Sequence, residues 1–187
     1  MSVMLDVIGA ALLVGMLMVT ILNVNINMTL ESYKSTSEFY TQTEMIQLAR
    51  IMEFDLYKMG YDVSKPAIVA ADTSYLKFRA NLSDVPGARD SVEYLLGTPV
   101  TSSTNPRDNH LLRVENISMV SVSYSVTRFL MTYYDARDSV IPTPVSLSNL
   151  DSIRSLRVYL TLESPEPYDS SYAGAYYEKL IYPRNLQ

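Results

Sequence analysis

The sequence predicts an α+β fold in which one extended N-terminal helix carries an antiparallel β-sheet packed on its second half. Two observations lead there. No proline precedes Pro66 and no glycine lies between Gly15 and Gly60, so nothing interrupts a helix from the start of the chain to about residue 61. Beyond Pro66 the hydrophobic period changes to two, in short runs separated by polar turns. The expected division is therefore 1–61 for the helix and 62–187 for a sheet domain.

The helix begins apolar. Residues 7–22 form a run with Val7, Ile8, Leu12, Leu13, Val14, Met16, Leu17, Met18, Val19, Ile21 and Leu22 separated only by Gly, Ala and Thr. Including Val24 and Ile26, the segment 7–26 reaches the ~20 residues that span a bilayer core. A secretory signal would carry a basic segment before the run and a small-residue cleavage site after it. Here Met-Ser-Val-Met-Leu-Asp precedes it and asparagines follow at 23, 25 and 27. A soluble core helix without a polar face would need burial on all sides, which a domain of about 125 residues can hardly supply. Retention in a membrane is the expectation. The first cation is Lys34, so flanking charge sets no orientation.

Asp6 stands at the start of this run, where an ionised carboxylate is costly unless paired. One reading makes it a helix-start acid facing the dipole. The other has Met1 removed ahead of the small Ser2, which makes Asp6 the fifth residue, within reach of another subunit's α-amino group.

From residue 30 the helix turns amphipathic. Met45, Leu48, Met52, Leu56 and Met59 follow helical spacing with Ala49 beside them, a stripe suited to cover one face of a sheet. Glu44, Arg50, Glu53 and Lys58 fall largely to the other side. Tyr33, Phe39 and Tyr40 stand among Ser and Thr, to face solvent or neighbours. Gly60 is a natural stop.

Strands are expected at 75–80, 91–96, 111–115, 117–134 (one long or two broken), 153–162 and 175–182. Polar loops are expected at 81–90, 98–109, 135–149 and 164–174. Short polar connections favour antiparallel pairing, one face on the helix and one in water. Fifteen tyrosines without tryptophan suit strands with wet outer faces.

Composition narrows the chemistry. A net charge of −5 with no basic cluster speaks against nucleic acid. With no cysteine and one histidine, His110, neither a thiolate nor a histidine metal site is expected, and no cofactor is. No phosphate loop, nucleophile elbow or zinc-helix pattern occurs, so no enzyme is expected. Glu163 and Glu166 lie between prolines and read as a solvated loop rather than a glycosidase pair. Asp84 with Asp90, and Asp135 with Asp138, flank turns; solvation is expected of them ahead of Ca²⁺ binding. His110 reads as a surface or capping residue.

Several stretches, taken in order, resemble one family. Residues 52–61, Met-Glu-Phe-Asp-Leu-Tyr-Lys-Met-Gly-Tyr, are similar to a helix-ending Asp-Leu/Ile-Arg-x-Ala-Gly-Tyr pattern. Ala71 and Asp72 before Tyr75-Leu76-Lys77-Phe78 look like a first strand, Val92-Glu93-Tyr94 and Leu111-Leu112-Arg113 like the next two. Residues 126–135, ending Thr-Tyr-Tyr-Asp, look like a central hydrophobic strand, and Tyr182-Pro183-Arg184-Asn185-Leu186 like a Pro-Arg-Asn ending. Together they resemble the type IV pilin-like proteins, in particular minor pilins and minor pseudopilins of type IV pili and type II secretion systems. No Gly-Phe-Thr-Leu-Ile-Glu motif for a prepilin peptidase accompanies them.

The resemblance implies a structural subunit in the cytoplasmic (inner) membrane, single-pass, with an extracytoplasmic sheet domain. It would pack against other pilin-like subunits through its N-terminal helix, and Asp6 would take the place of a glutamate that pairs with a neighbour's N-terminus. The competing expectation is a membrane-tethered extracytoplasmic binding module on a helical stalk, its surface ligand unknown.

Overall fold

A computed structural model describes residues 2–168 and 170–186, without the side chains of Ser2, Met119, Ser121, Ser123 and Tyr124. The chain forms one long helix, α1 (Ser2–Lys58), then strands β1 (Ile68–Asp72), β2 (Tyr75–Ala80), β3 (Asp90–Pro99), β4 (Asn109–Glu115), β5 (Ser118–Tyr134), β6 (Val140–Ile141), β7 (Ser155–Glu163) and β8 (Gly174–Ile181). Short 3₁₀ turns occupy Leu150–Ser152 and Arg184–Leu186. The fold is α+β, with α1 packed on an eight-stranded antiparallel sheet in the order β1-β2-β3-β4-β5-β7-β8, β6 pairing beside β5.

Two compact units divide the chain, Met1–Ser37 and Glu38–Gln187. The limit falls inside α1. Element boundary and core boundary differ because residues 41–59 of the helix region already belong to the core of the second unit. Met45, Leu48, Ala49, Met52, Leu56 and Met59 are all buried, five of them in one cluster with sheet residues such as Leu76, Phe78, Val92, Leu111, Phe129 and Leu160.

The strands alternate as half-buried strands must. In β7, Leu156, Val158, Leu160 and Leu162 point into the core, while Arg157 and Tyr159 occupy the other face. That outer face carries Arg157 paired with Glu178 at 3.0 Å, Arg128 over the Tyr159 ring, and Tyr159 edge-on to Tyr176. β5 is a single long strand. Its first half pairs with β4 and its second half with β7, the register slipping between Val126 and Arg128. The slip inserts one residue, so the buried positions run Val126, then Phe129, Met131 and Tyr133.

Four features differ from the sequence expectation. β1 was not foreseen, because Ile68–Asp72 holds two alanines and too little β-branching to stand out. β6 falls in the expected loop 135–149, and β3 runs on to Pro99. Two tyrosines turn inward rather than to water: Tyr94 and Tyr133 are fully buried, their hydroxyls donating to Asp55 and to the Asp72 carbonyl.

The turn between β1 and β2 covers the second half of β5. The Met131 N–H donates to the Thr73 carbonyl at 2.7 Å, and Ser74 Oγ donates to the Phe129 carbonyl at 2.9 Å. An edge that would otherwise present unpaired backbone is thereby closed.

The helix ends at Lys58. Gly60 follows with φ +79°, its N–H donating to the Arg79 carbonyl at 2.9 Å. A Cβ there would press on Ala67 and Asn185 at 3.2–3.3 Å, so both conformation and space demand glycine.

Leu56 is 1% exposed and Ile51 is 42% exposed on the same helix. Leu56→Ala should therefore lower the unfolding free energy of the detergent-solubilised chain by about 2–5 kcal/mol. Ile51→Ala should change it by less than about 0.5 kcal/mol; denaturant titration followed by circular dichroism measures both.

Candidate functional site: the apolar helix and its anchorage

In the first unit, residues 2–37 are helical and their apolar side chains face outward. Val7, Ile8, Leu12, Leu13, Val14, Leu17, Val19, Ile21 and Leu22 are all more than half exposed, Leu13 at 68%, and none of the most apolar 18-residue window is buried. The helix is long and apolar enough to cross a membrane. The one hydroxyl within the run, Thr20 Oγ1, donates to the Met16 carbonyl at 2.9 Å. A donor that would be costly in hydrocarbon is thus satisfied within the helix. Thr29 does the same with Asn25.

Asp6 is exposed, and among the described residues no hydrogen bond or ion pair reaches its carboxylate. It is the fifth residue of α1, whose first turn contains no acid. Met1 lies outside the described residues, and of Ser2 only the helical backbone is described.

In the second unit, polar contacts flank the apolar stripe, and among the described residues three stand out. The most buried centres on Asp55, 1% exposed. Its Oδ2 accepts from the Tyr94 hydroxyl at 2.6 Å and from Arg113 Nε at 2.6 Å, and its Oδ1 accepts from Arg113 Nη2 at 3.2 Å. Arg113 also donates Nη1 to Glu115 at 2.6 Å. Tyr94 and Arg113 stand opposite each other on β3 and β4, so one cross-strand pair grips one helix carboxylate. Burial, reinforced by the charge of Asp55, pushes the Tyr94 hydroxyl well up and keeps it a neutral donor. Burial works against the Arg113 charge, but Asp55 and Glu115 outweigh it and hold the guanidinium protonated.

The second contact is Glu53, which accepts from Lys179 Nζ at 2.6 Å and the Tyr177 hydroxyl at 2.7 Å. The third is Lys58, which donates to Asp84 at 2.9 Å and to the Leu82 carbonyl at 3.1 Å. Glu53 and Lys58, assigned by spacing to the far side of the helix, thus reach round its flanks to the sheet; Arg50 remains exposed.

The acidic turns are occupied from within the chain. Asp90 accepts from the Leu82 N–H and the Asn116 amide, and Asp135 from the Arg137 and Ser139 N–H groups. Glu163, expected in a solvated loop, instead binds Arg107 at 2.7 Å and Asn105 at 2.8 Å. Among the described residues no group of three His, Cys, Asp or Glu side chains is placed to hold a metal ion. His110 lies second in β4.

The chain matches no family model and no curated protein.

Two stability predictions follow from these contacts. Asp55→Ala leaves the Arg113 guanidinium with only the half-exposed Glu115 and should cost on the order of 3 kcal/mol. Arg113→Met in the same background should recover part of that loss, as read by denaturant titration of the single and double variants.

The second concerns acid. The Asn116 amide and the Leu82 N–H hold Asp90 below the usual carboxylate range. Burial raises Glu53, yet Lys179 and Tyr177 pull it below its ordinary value. Both groups take up protons at higher pH in the unfolded chain than in the folded one. Their stabilisation is therefore complete above the ordinary values of 4.5 and 3.8 and is lost as the pH falls through and below them. Asp108 opposes this, since burial pushes it up and the folded state protonates it first. The thermal midpoint should drop between about pH 5 and pH 3, and Asp90→Asn should flatten that slope.

Proposed function

We propose that this chain is a structural subunit of the minor pilin or minor pseudopilin type. Its apolar helix holds it in the cytoplasmic membrane and then packs it laterally against like helices in a filament or pseudopilus, with the sheet domain extracytoplasmic. The observation that carries this reading is the first part of α1, apolar on every side and with none of its most apolar 18-residue window buried. Such a surface needs lipid or other helices around it. The α+β fold and the order of the sequence stretches that resemble that family point the same way.

In this reading Asp6 is the assembly residue. A carboxylate with no partner among the described residues, on an otherwise apolar helix start, pairs with the α-amino group of a neighbouring subunit. Ser2 would supply that amine once Met1 is removed.

A membrane fractionation with two variants tests the proposal. Leu13→Arg puts a charge in the middle of the apolar run, at a cost of about 2.5–3.5 kcal/mol. It should shift the chain from the membrane pellet to the soluble fraction. Asp6→Asn should leave the chain in the membrane but lower crosslinking between copies, or to partner subunits, several-fold. A membrane-tethered binding module on a helical stalk would crosslink equally with either residue at position 6. Mature chain starting near residue 28 in purified membranes would end the assembly reading.

A further inference from the structure

A second feature lies on the outer face of the sheet domain and is independent of the helix. Val63, Ser64, Arg79, Arg89 and Ser91 line a depression of about 310 Å³. Arg79 on β2 and Ser91 on β3 are directly opposed cross-strand partners. The Arg79 backbone is pinned on both sides, its N–H donating to the Ala67 carbonyl at 2.7 Å and its carbonyl accepting from Gly60. Arg89 approaches from the loop entering β3, and Ser64 from the segment between α1 and β1.

The local charge pattern is unusual for an acidic chain. Three carboxylates lie close in sequence or across the strands, and each is engaged elsewhere. Asp62 accepts from the Asn81 amide at 2.9 Å, Asp90 from Leu82 and Asn116, and Glu93 pairs with Lys77 at 3.0 Å. Neither Arg79 nor Arg89 makes an ion pair or a side-chain hydrogen bond among the described residues. Two arginines therefore line one concave site, and among the described residues neither has a carboxylate in direct ion-pair contact, in a chain of net charge −5.

From this juxtaposition we infer that the Arg79 and Arg89 depression is an anion-binding site for a phosphoryl or sulfuryl group borne on a small molecule or lipid headgroup. A carboxylate offers two oxygens, and one guanidinium fork satisfies both. Two forks together with the hydroxyls of Ser64 and Ser91 offer more donors than that, matching the three or four oxygens of a tetrahedral oxyanion. The volume admits a group larger than the bare ion, so the anion would be carried on a further moiety.

The test uses the full chain in non-ionic detergent, titrated with inorganic phosphate at constant ionic strength and followed by calorimetry. Saturable binding is expected, weakened about tenfold or more by either Arg79→Gln or Arg89→Gln. Arg79→Lys, which keeps the charge and loses the fork, should fall between. Lys77→Gln, on the same face but paired with Glu93, should leave binding unchanged. Unchanged circular dichroism spectra separate lost binding from lost folding. Competition then distinguishes the sources: displacement by a sugar phosphate assigns a soluble ligand, and displacement by phosphatidic acid in phosphatidylcholine vesicles assigns a headgroup. No saturable phosphate binding, or binding indifferent to both arginine substitutions, would overturn the inference.

Discussion

An apolar helix in water must hide its surface somewhere, and in this chain the first unit does not hide it within itself. Completely burying one leucine or isoleucine gains about 1.5–3 kcal/mol. Leu12, Leu13, Leu17, Ile21 and Leu22, each more than half exposed, leave most of that gain unclaimed. No loop or strand of the first unit shields them, because residues 2–37 are helix throughout. The surface can be satisfied by lipid, by other helices, or by each in turn. Thr20 fits the constraint: its hydroxyl is turned back onto the Met16 carbonyl, so it asks nothing of the surroundings.

The second unit solves the opposite problem, holding a helix firmly on a sheet with water outside. Its apolar stripe supplies the bulk of the burial, and methionines at 45, 52 and 59 adapt to an uneven sheet surface. Burial alone, being non-directional, would let the helix slide or rotate. The fixed geometry comes from Asp55, gripped by a tyrosine and an arginine from neighbouring strands, with Glu53 and Lys58 tied down on the flanks. A buried ion pair of this sort adds little net stability relative to an apolar replacement. Here it contributes a register for the helix on the sheet. The helix end is fixed too, because Gly60 takes a φ of +79° and a Cβ there would crowd Ala67 and Asn185 at 3.2–3.3 Å.

The helix and its stripe were legible in the sequence because period and breakers agree: no proline before Pro66, and large apolar residues at helical spacing up to Gly60. The strands with clean alternation, β2 and β7, were legible for the same reason. β1 was not, since Ile68–Asp72 contains two alanines and gains its place by pairing with β2, a contact no local pattern encodes. The register slip in β5 was hidden too, for an inserted residue leaves alternation intact on either side. The Asp55 centre left a trace that spacing alone could have caught. Position 55 falls three residues after Met52 and four before Met59, in phase with the buried stripe, so a charge there had to find a partner. That the partner would be Arg113 with Tyr94 depends on two strands meeting, and only the three-dimensional fold brings them together.

Asp55 and Asp6 show what separates the two units. Both are carboxylates on one helix among apolar neighbours, and both face the cost of a charge in poor surroundings. Asp55 meets it inside the chain, with three donor groups at 2.6–3.2 Å. Asp6 has no such partner among the described residues. In water that is no difficulty. Once the surrounding side chains enter lipid or a bundle of like helices, the carboxylate must stay at the polar boundary or pair with a cation brought by another molecule. A stalk that merely tethers a binding domain requires only the first. A subunit that assembles through this helix gains register from the second, as Asp55 gives register to the helix on its own sheet.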